Sequence, residues 1–225
     1  MDAAAGGVRM IRIVIADDQE LVRGGLKIML EQNDDMSVCG QAADGVAAVE
    51  EVRLRHPDVV LMDVRMPRLT GLDAMRAIVR DDPAVRVLML TTYDLDEYVV
   101  AALREGASGY LLKDAAPDEL LRAVRAVAAG ETVLAKPVMR RFIDGYVRAG
   151  PARGIPPALE TLSARERDVL RALARGGTNA EIAAQLSVSP ATVKTHVASI
   201  LAKLGLRDRV QAVILAYESG FVAHG

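Results

Sequence analysis

The sequence predicts an α/β domain on a doubly wound, five-stranded parallel sheet, followed by an all-α domain of four helices. Three observations carry this. Five short runs rich in β-branched and other apolar residues each precede a stretch of helical pattern, the signature of strand and helix in alternation. A segment at Gly150–Pro157, reading Gly-Pro-Ala-Arg-Gly-Ile-Pro-Pro, can support neither a helix nor a central strand and separates two regions. Beyond it lie three closely spaced helix-start signatures.

Strands are expected at Arg12–Ala16, Ser37–Gln41, Val59–Met62, Arg86–Leu90 and Gly109–Leu112, because strands buried on both faces of a parallel sheet are almost continuously apolar. Helices are expected to follow at Glu20–Gln32, Gly45–Arg55, Gly71–Arg80, Asp96–Glu105 and Pro117–Ala129. In the last of these, Leu120, Leu121, Val124 and Val127 fall at i, i+1, i+4 and i+7, one apolar stripe that must face the sheet. Residues 10–130 form this domain. Residues 131–158 form a linker, in which Val138–Val147 is a candidate short helix limited by Pro137 and Gly145.

Residues 159–225 form the second domain. Ser163-Ala-Arg-Glu166 and Thr178-Asn-Ala-Glu181 read as capping boxes, in which a hydroxyl and a carboxylate satisfy the free N–H groups of a helix start. Ser189-Pro190 offers an N-cap followed by proline at the first helical position. That third helix ends before Gly205, and a fourth runs over Arg209–Glu218. Ser187-Val188 alone separates the second helix from the third, a helix-turn-helix spacing.

Composition narrows the function classes. No apolar run approaches the ~18 residues that cross a bilayer, and Met1–Arg9 lacks the apolar core of a signal peptide, so a cytoplasmic protein without membrane partners is expected. A single cysteine, Cys39, excludes an intramolecular disulfide and a thiolate zinc site, and is read as packing. The net charge of −2 conceals an asymmetry: residues 1–158 carry 20 Lys+Arg against 24 Asp+Glu, and residues 159–225 carry 8 against 6.

Asp17 and Asp18 follow the first strand, Asp63 the third, Thr91 the fourth and Lys113 the fifth. Ligands of open α/β sheets bind beyond the carboxyl ends of the strands, where strand order reverses. One aspartate there is commonly a solvated loop residue. The whole set in register describes an acidic pocket, whose mutual repulsion calls for a hard dication such as Mg²⁺ with oxygen ligands. A carboxylate is also a nucleophile toward phosphorus. Phosphoryl transfer depends on positioning and cations, for which Lys113 supplies a second positive charge and the Thr91 hydroxyl a donor.

On these residues the first domain resembles the receiver domain of two-component response regulators, a flavodoxin-like fold. The motifs are Ile15-Ala16-Asp17-Asp18, Leu61-Met62-Asp63-Val64-Arg65-Met66-Pro67, Leu90-Thr91-Thr92 and Gly109-Tyr110-Leu111-Leu112-Lys113. The resemblance implies that Asp63 accepts phosphate from the phosphohistidine of a cognate sensor histidine kinase. It also implies that Asp18, Asp63 and the backbone carbonyl of Arg65 bind Mg²⁺, with Asp17 acting through a metal-bound water. Thr91 and Tyr110 become the pair that reorients on phosphorylation. Such a protein is not an enzyme in the ordinary sense, although a receiver catalyses its own phosphorylation and dephosphorylation.

In the third helix of the second domain, Val193, Val197, Ile200, Leu201 and Leu204 are expected to pack inward, leaving Thr192, Lys194, Thr195, Ser199 and Lys203 outside as a polar, basic face suited to a major groove. The segment resembles the LuxR-type helix-turn-helix through Leu162-Ser-Ala-Arg-Glu166, Asn179-Ala-Glu-Ile-Ala183, Thr192-Val-Lys-Thr-His196 and Lys203-Leu204-Gly205. With the receiver, this identifies the chain as a member of the NarL/FixJ class of response regulators. The resemblance implies base contacts from Lys194 and Thr195, a phosphate contact from Lys203, and a homodimer contact near Val210, Val213 and Ile214 on promoter DNA. Ala198 departs from the pattern, offering only a methyl group where many relatives carry a polar side chain. The competing readings are an aspartate-nucleophile phosphohydrolase, whose substrate pocket and cap or second acid the first domain leaves no room for, a phosphorylation-controlled protein-binding module, and a regulator independent of phosphorylation.

Overall fold

The structure, a computed structural model, describes residues 9–91, 106–134, 157–206 and 208–222. The chain divides into two compact units. In the first, β1 (Ile11–Ala16), α1 (Glu20–Glu31), β2 (Met36–Ala42), α2 (Gly45–Arg55), β3 (Val59–Asp63), α3 (Gly71–Asp81), β4 (Arg86–Thr91), β5 (Gly109–Leu112), α4 (Pro117–Ala128) and β6 (Val133–Leu134) follow one another. Every expected strand is present, within one residue of its expected ends. The helix expected at Asp96–Glu105, the candidate helix at Val138–Val147 and the Gly150–Pro157 segment short of Pro157 lie outside the described residues.

The sheet order is β2-β1-β3-β4-β5-β6, and the pairs from β2 through β5 are parallel. β6, two residues long, lies within the stretch expected to be linker; Val133 N donates to Ser108 O at 3.3 Å. Because β2 and β3 flank β1 on opposite sides, right-handed crossovers send α1 to one face and α2 and α3 to the other. Arg125 of α4 donates to Asp35 and Asn33 in the turn after α1. The central strands are buried on both faces: Ile13, Val14, Ile15, Val59 to Met62 and Val87 to Met89 expose nothing. That is why their sequences lack polar alternation. Cys39 is the extra residue of a bulge between β1 and β2; it is half-buried, its Sγ donates to Ile13 O at 3.4 Å, and burial pushes its thiol up.

Register brings the polar strand ends together. Ala16 pairs with Met62, so Asp17 and Asp63 follow side by side at the point where strand order reverses. Asp63 pairs with Leu90 and Thr91 with Leu112, which sets Thr91 and Lys113 at the same edge. Gly71 packs its backbone directly on Asp63, where a Cβ would come within 1.8 Å of the Asp63 carbonyl oxygen.

The second unit opens with a 3₁₀ turn at Pro157–Thr161, followed by α5 (Ala164–Ala174), α6 (Asn179–Leu186), α7 (Pro190–Leu204) and α8 (Arg209–Glu218). Both capping boxes form in full, at Ser163 with Glu166 and at Thr178 with Glu181. Ser189 caps α7 by accepting from Thr192 N at 3.1 Å, and Gly205 ends it at φ 63°. Ser187, at φ 55°, turns α6 into α7, a left-handed position that costs a serine more than a glycine. The core joins Val169, Leu170 and Leu173 of α5, Ile182 of α6, Val193 and Ile200 of α7, and Val210, Val213 and Ala216 of α8. Tyr217 Oη closes it by donating to Ala174 O at 2.9 Å.

Candidate functional site

At the carboxyl edge of the sheet, Asp17, Asp18 and Asp63 each present a carboxylate oxygen within 4.8 Å of the others. Asp17 and Asp63 are buried and Asp18 is exposed. Lys113 Nζ bridges the two buried carboxylates, 2.6 Å from Asp17 Oδ2 and 3.1 Å from Asp63 Oδ2. Asp17 Oδ2 has no hydrogen bond of good geometry, so its contact with the ammonium is chiefly ionic. Asp17 is also held locally: Gln19 N donates to its Oδ1 at 2.9 Å, and Arg23 of α1 donates to its carbonyl at 2.7 Å.

The electrostatics are unbalanced. Burial pushes the Asp63 carboxyl above its ordinary value, the Asp17 charge adds to this, and Lys113 only partly offsets it. Burial pulls Lys113 down, but its ion pairs with Asp17 and Asp63 outweigh that and leave the ammonium above its ordinary value. Three carboxylates against one cation suit a hard dication with oxygen ligands. Asp17, Asp18 and Asp63 are the side chains that would hold it.

Thr91 is buried at the end of β4, and its carbonyl accepts from Lys113 N at 2.7 Å. Tyr110 exposes nothing, and burial pushes its phenol up to about 12. Its Oη lies by the Thr91 hydroxyl without a hydrogen bond of good geometry. Arg65 is exposed two residues beyond Asp63.

The loop after β3 carries a contact that the sequence did not suggest. Arg68 sits at φ 63° and its guanidinium pairs with Asp44, the N-cap of α2. Gly45 lies against the backbone of Leu69, where a Cβ would come within 2.3 Å of the carbonyl oxygen. These contacts fasten the segment beside Asp63 to the start of α2. No local signature marks Arg68 or Arg23, because their partners are set by the folded chain.

In the helical unit, Thr192, Lys194, Thr195 and Ala198 are exposed along the first two turns of α7. Lys203 is exposed with them and Ser199 half-exposed, and both also reach α5: Ser199 Oγ donates to Glu166 Oε1 at 2.6 Å and Lys203 Nζ to Glu166 Oε2 at 2.7 Å. Of the expected inward residues, Val193 and Ile200 are buried, while Val197, Leu201 and Leu204 are half-buried. The helix expected to carry the dimer contact also contributes to the core of its own unit. Val210 and Val213 are 1% and 0% exposed within the core of their own unit, with Ile214 at 8%, so they present almost no surface to a partner. Arg209, Gln211, Leu215 and Glu218 are the half-exposed residues of α8.

Among the described residues, no helix is long and apolar enough to cross a membrane. The family of response regulator receiver domains matches residues 13–125, and the luxR family of bacterial regulatory proteins matches residues 160–216. The chain is 42% identical over 212 residues to the uncharacterized transcriptional regulatory protein YxjL of Bacillus subtilis (strain 168), covering 94% of this chain and 97% of that one. Its fold is similar to the crystal structure of the response regulator ChrA of a heme-sensing two-component system, at TM-score 0.53, 36% identity and coverage of 95% and 99%. It is likewise similar to the response regulator RcsB in complex with DNA, at TM-score 0.56, 25% identity and coverage of 93% and 99%. The chain therefore belongs to the two-component response regulators that join a receiver domain to a LuxR-type, DNA-binding helix-turn-helix and regulate transcription.

Proposed function

We propose that Asp63 takes a phosphoryl group from the phosphohistidine of a sensor histidine kinase, and that the phosphorylated protein dimerises on promoter DNA. The observation that carries the first part is the Lys113 ammonium between two buried carboxylates, one of them made more basic by burial. An Asp63 carboxylate oxygen attacks phosphorus and forms a P–O bond. The P–N bond breaks, and the imidazole leaves with the electron pair and takes a proton. Lys113 and the Thr91 hydroxyl face the phosphoryl oxygens as charge builds on them. Mg²⁺ held by Asp17, Asp18, Asp63 and the Arg65 carbonyl supplies further charge neutralisation when bound. Glu166 and the apolar anchors hold α7 so that Thr192, Lys194 and Thr195 meet the major groove, the first turns of a recognition helix being the part that reaches base edges.

The phosphate and the recognition helix belong to different units, so phosphorylation acts by shifting an equilibrium between two states. Thr91 and Tyr110 are the proposed switch. Moving a population from 1:99 to 99:1 takes ~5.5 kcal/mol of differential stabilisation. A dimer then matches two half-sites about one helical turn apart.

The test is intact mass after treatment with a small phosphodonor and Mg²⁺. One added phosphoryl group is expected, and none in Asp63→Asn; an equal addition in that variant places the nucleophile elsewhere. Selecting duplexes from a random pool with the phosphorylated full chain tests the second part. An enriched sequence is expected, and a pool that stays random overturns DNA reading.

A further inference from the structure

We propose that Glu166 is a positioning residue of the recognition helix, and that Lys203 serves the placement of α7 instead of binding a DNA phosphate. This deepens the DNA-binding reading and rests on it. Glu166 belongs to α5, yet its two oxygens receive three donors. Oε2 accepts from Ser163 N at 2.7 Å and from Lys203 Nζ at 2.7 Å, and Oε1 accepts from Ser199 Oγ at 2.6 Å. Its backbone N–H in turn donates to Ser163 Oγ at 3.3 Å. A single side chain thus closes the capping box of α5 and holds α7 at two points.

Those two points do what the apolar anchors cannot. Val193 and Ile200 set how deeply α7 sinks into the core, but contact between apolar side chains is not directional and leaves the helix free to roll and slide by small amounts. Ser199 and Lys203 stand at i and i+4, one above the other on the same side of the helix. Tied to two oxygens of one carboxylate, they fix the roll about the axis and the displacement along it. Thr192, Lys194 and Thr195, one to three turns earlier on the same rigid helix, take their aim from that setting.

The same geometry removes Lys203 from the phosphate-binding set. The Glu166 side chain is 6% exposed and that of Lys203 39% exposed. Drawing the ammonium toward a phosphate would leave a carboxylate hidden from water with its cation gone, and that loss offsets the gain of the new contact. With Glu166 against it, Lys203 contributes no net positive charge to the face that meets DNA.

The experiment titrates full-length protein against the duplex enriched from the random pool and against a scrambled duplex over a range of salt. Each phosphate contact steepens the fall of log affinity with log salt by ~0.9. Lys203→Ala and Glu166→Gln are expected to lower affinity for the enriched duplex about tenfold, as for the loss of a specific base contact. In the double variant Lys203→Ala with Glu166→Gln, which leaves the net charge of the face unaltered, affinity for the scrambled duplex and the salt slope are expected to hold, and Lys203→Arg, which keeps the ion pair, is expected to restore the enriched duplex. An equal loss on both duplexes with the slope reduced by ~0.9 makes Lys203 a phosphate contact and overturns the proposal. If the parent protein itself fails to distinguish the duplexes, the DNA-binding reading fails and not the contact. Competitive acylation of the lysines then decides the contact without DNA: Lys203 labelling relative to Lys27 rises several-fold in Glu166→Gln if Glu166 holds it, and an unchanged ratio overturns the proposal.

Discussion

Asp63 and Glu166 are both carboxylates withdrawn from water, and the two units treat them in opposite ways. Asp63 shares one ammonium with Asp17, stands beside Asp18, and is raised above the ordinary carboxylate range, burial being the largest cause. Glu166 pairs with Lys203, whose ammonium also reaches Thr161 O at 3.5 Å, and has Ser199 and the Ser163 N–H besides; these donors, Lys203 foremost, hold it down at about 2. The difference is one of purpose. A carboxylate left short of positive charge is basic, nucleophilic and able to gain from a cation or a phosphoryl group's partners. A carboxylate whose two oxygens accept from three donors is a fixed point of the structure. Burial works against these donors by raising the value, so the low value of Glu166 comes from the donors it keeps.

The largest test of this contrast removes the cation from the unbalanced site. Lys113→Ala leaves three carboxylates facing one another, and phosphorylation by a small phosphodonor with Mg²⁺ is expected to slow by about 10²-fold, the scale for losing one preorganised charged donor. Lys203→Ala, the matching change at the balanced site, is expected to leave that rate unchanged. Time courses of intact mass measure both. A Lys113→Ala variant phosphorylated at the parent rate would show that Lys113 only balances charge in the resting protein.

The acidic site was legible in the sequence because each of its residues stands at the end of an apolar strand, and parallel register carries such ends to one edge. Asp17, Asp63, Thr91 and Lys113 needed only the strand order to be brought together. The capping boxes were legible for a similar reason, since hydroxyl and carboxylate lie three residues apart and their geometry is local. Contacts set by tertiary packing left no such mark. Glu166 was visible as the acid of a capping box, but its partner Lys203 lies 37 residues away, so the sequence alone did not show this contact. Arg125 and Asp35 are 90 residues apart, and the pairing of Arg68 with Asp44 depends on a left-handed φ that arginine rarely adopts. On α8, burial could not be told from an interface, because both call for the same apolar face.

A smaller effect comes from neutralising the balanced carboxylate. Glu166→Gln keeps the shape and one acceptor oxygen but loses the charge that Lys203, Ser199 and the Ser163 N–H all point toward. A loss of ~1 to 2 kcal/mol in the stability of the helical unit is expected at neutral pH, the range for a cap or a charged hydrogen bond. Because the folded value of about 2 lies below the ordinary 4.5, the folded state holds its proton less tightly than the unfolded chain. The contribution is therefore complete above 4.5 and fades as pH falls toward 2. Parent and variant are expected to converge at low pH, with amide exchange in α5 as the measure. A gap that stays constant with pH would assign the loss to packing.

Asp63→Asn gives the mirror image, with the smallest expected change and the opposite sign. The folded state raises the value of Asp63, so below the ordinary carboxylate value both states are protonated and the full interaction is present. As pH rises through the raised folded value, the folded protein gives up a proton it held more tightly than the unfolded chain did, and stability is lost. Asparagine has no proton to lose and no charge to keep out of water. The variant is expected to be more stable than the parent at neutral pH, the direction that follows from the raised value of Asp63 in the folded state. The gain should shrink on acidification, where the parent aspartate becomes neutral too. It should also shrink when Mg²⁺ is added, since a dication held by Asp17, Asp18 and Asp63 stabilises the parent through the carboxylate that the variant lacks. Thermal unfolding of the receiver, with and without Mg²⁺ across this pH range, measures all three. A variant less stable than the parent in the absence of metal would mean that Lys113 already satisfies Asp63, and that the two units do not differ in how they treat a buried carboxylate.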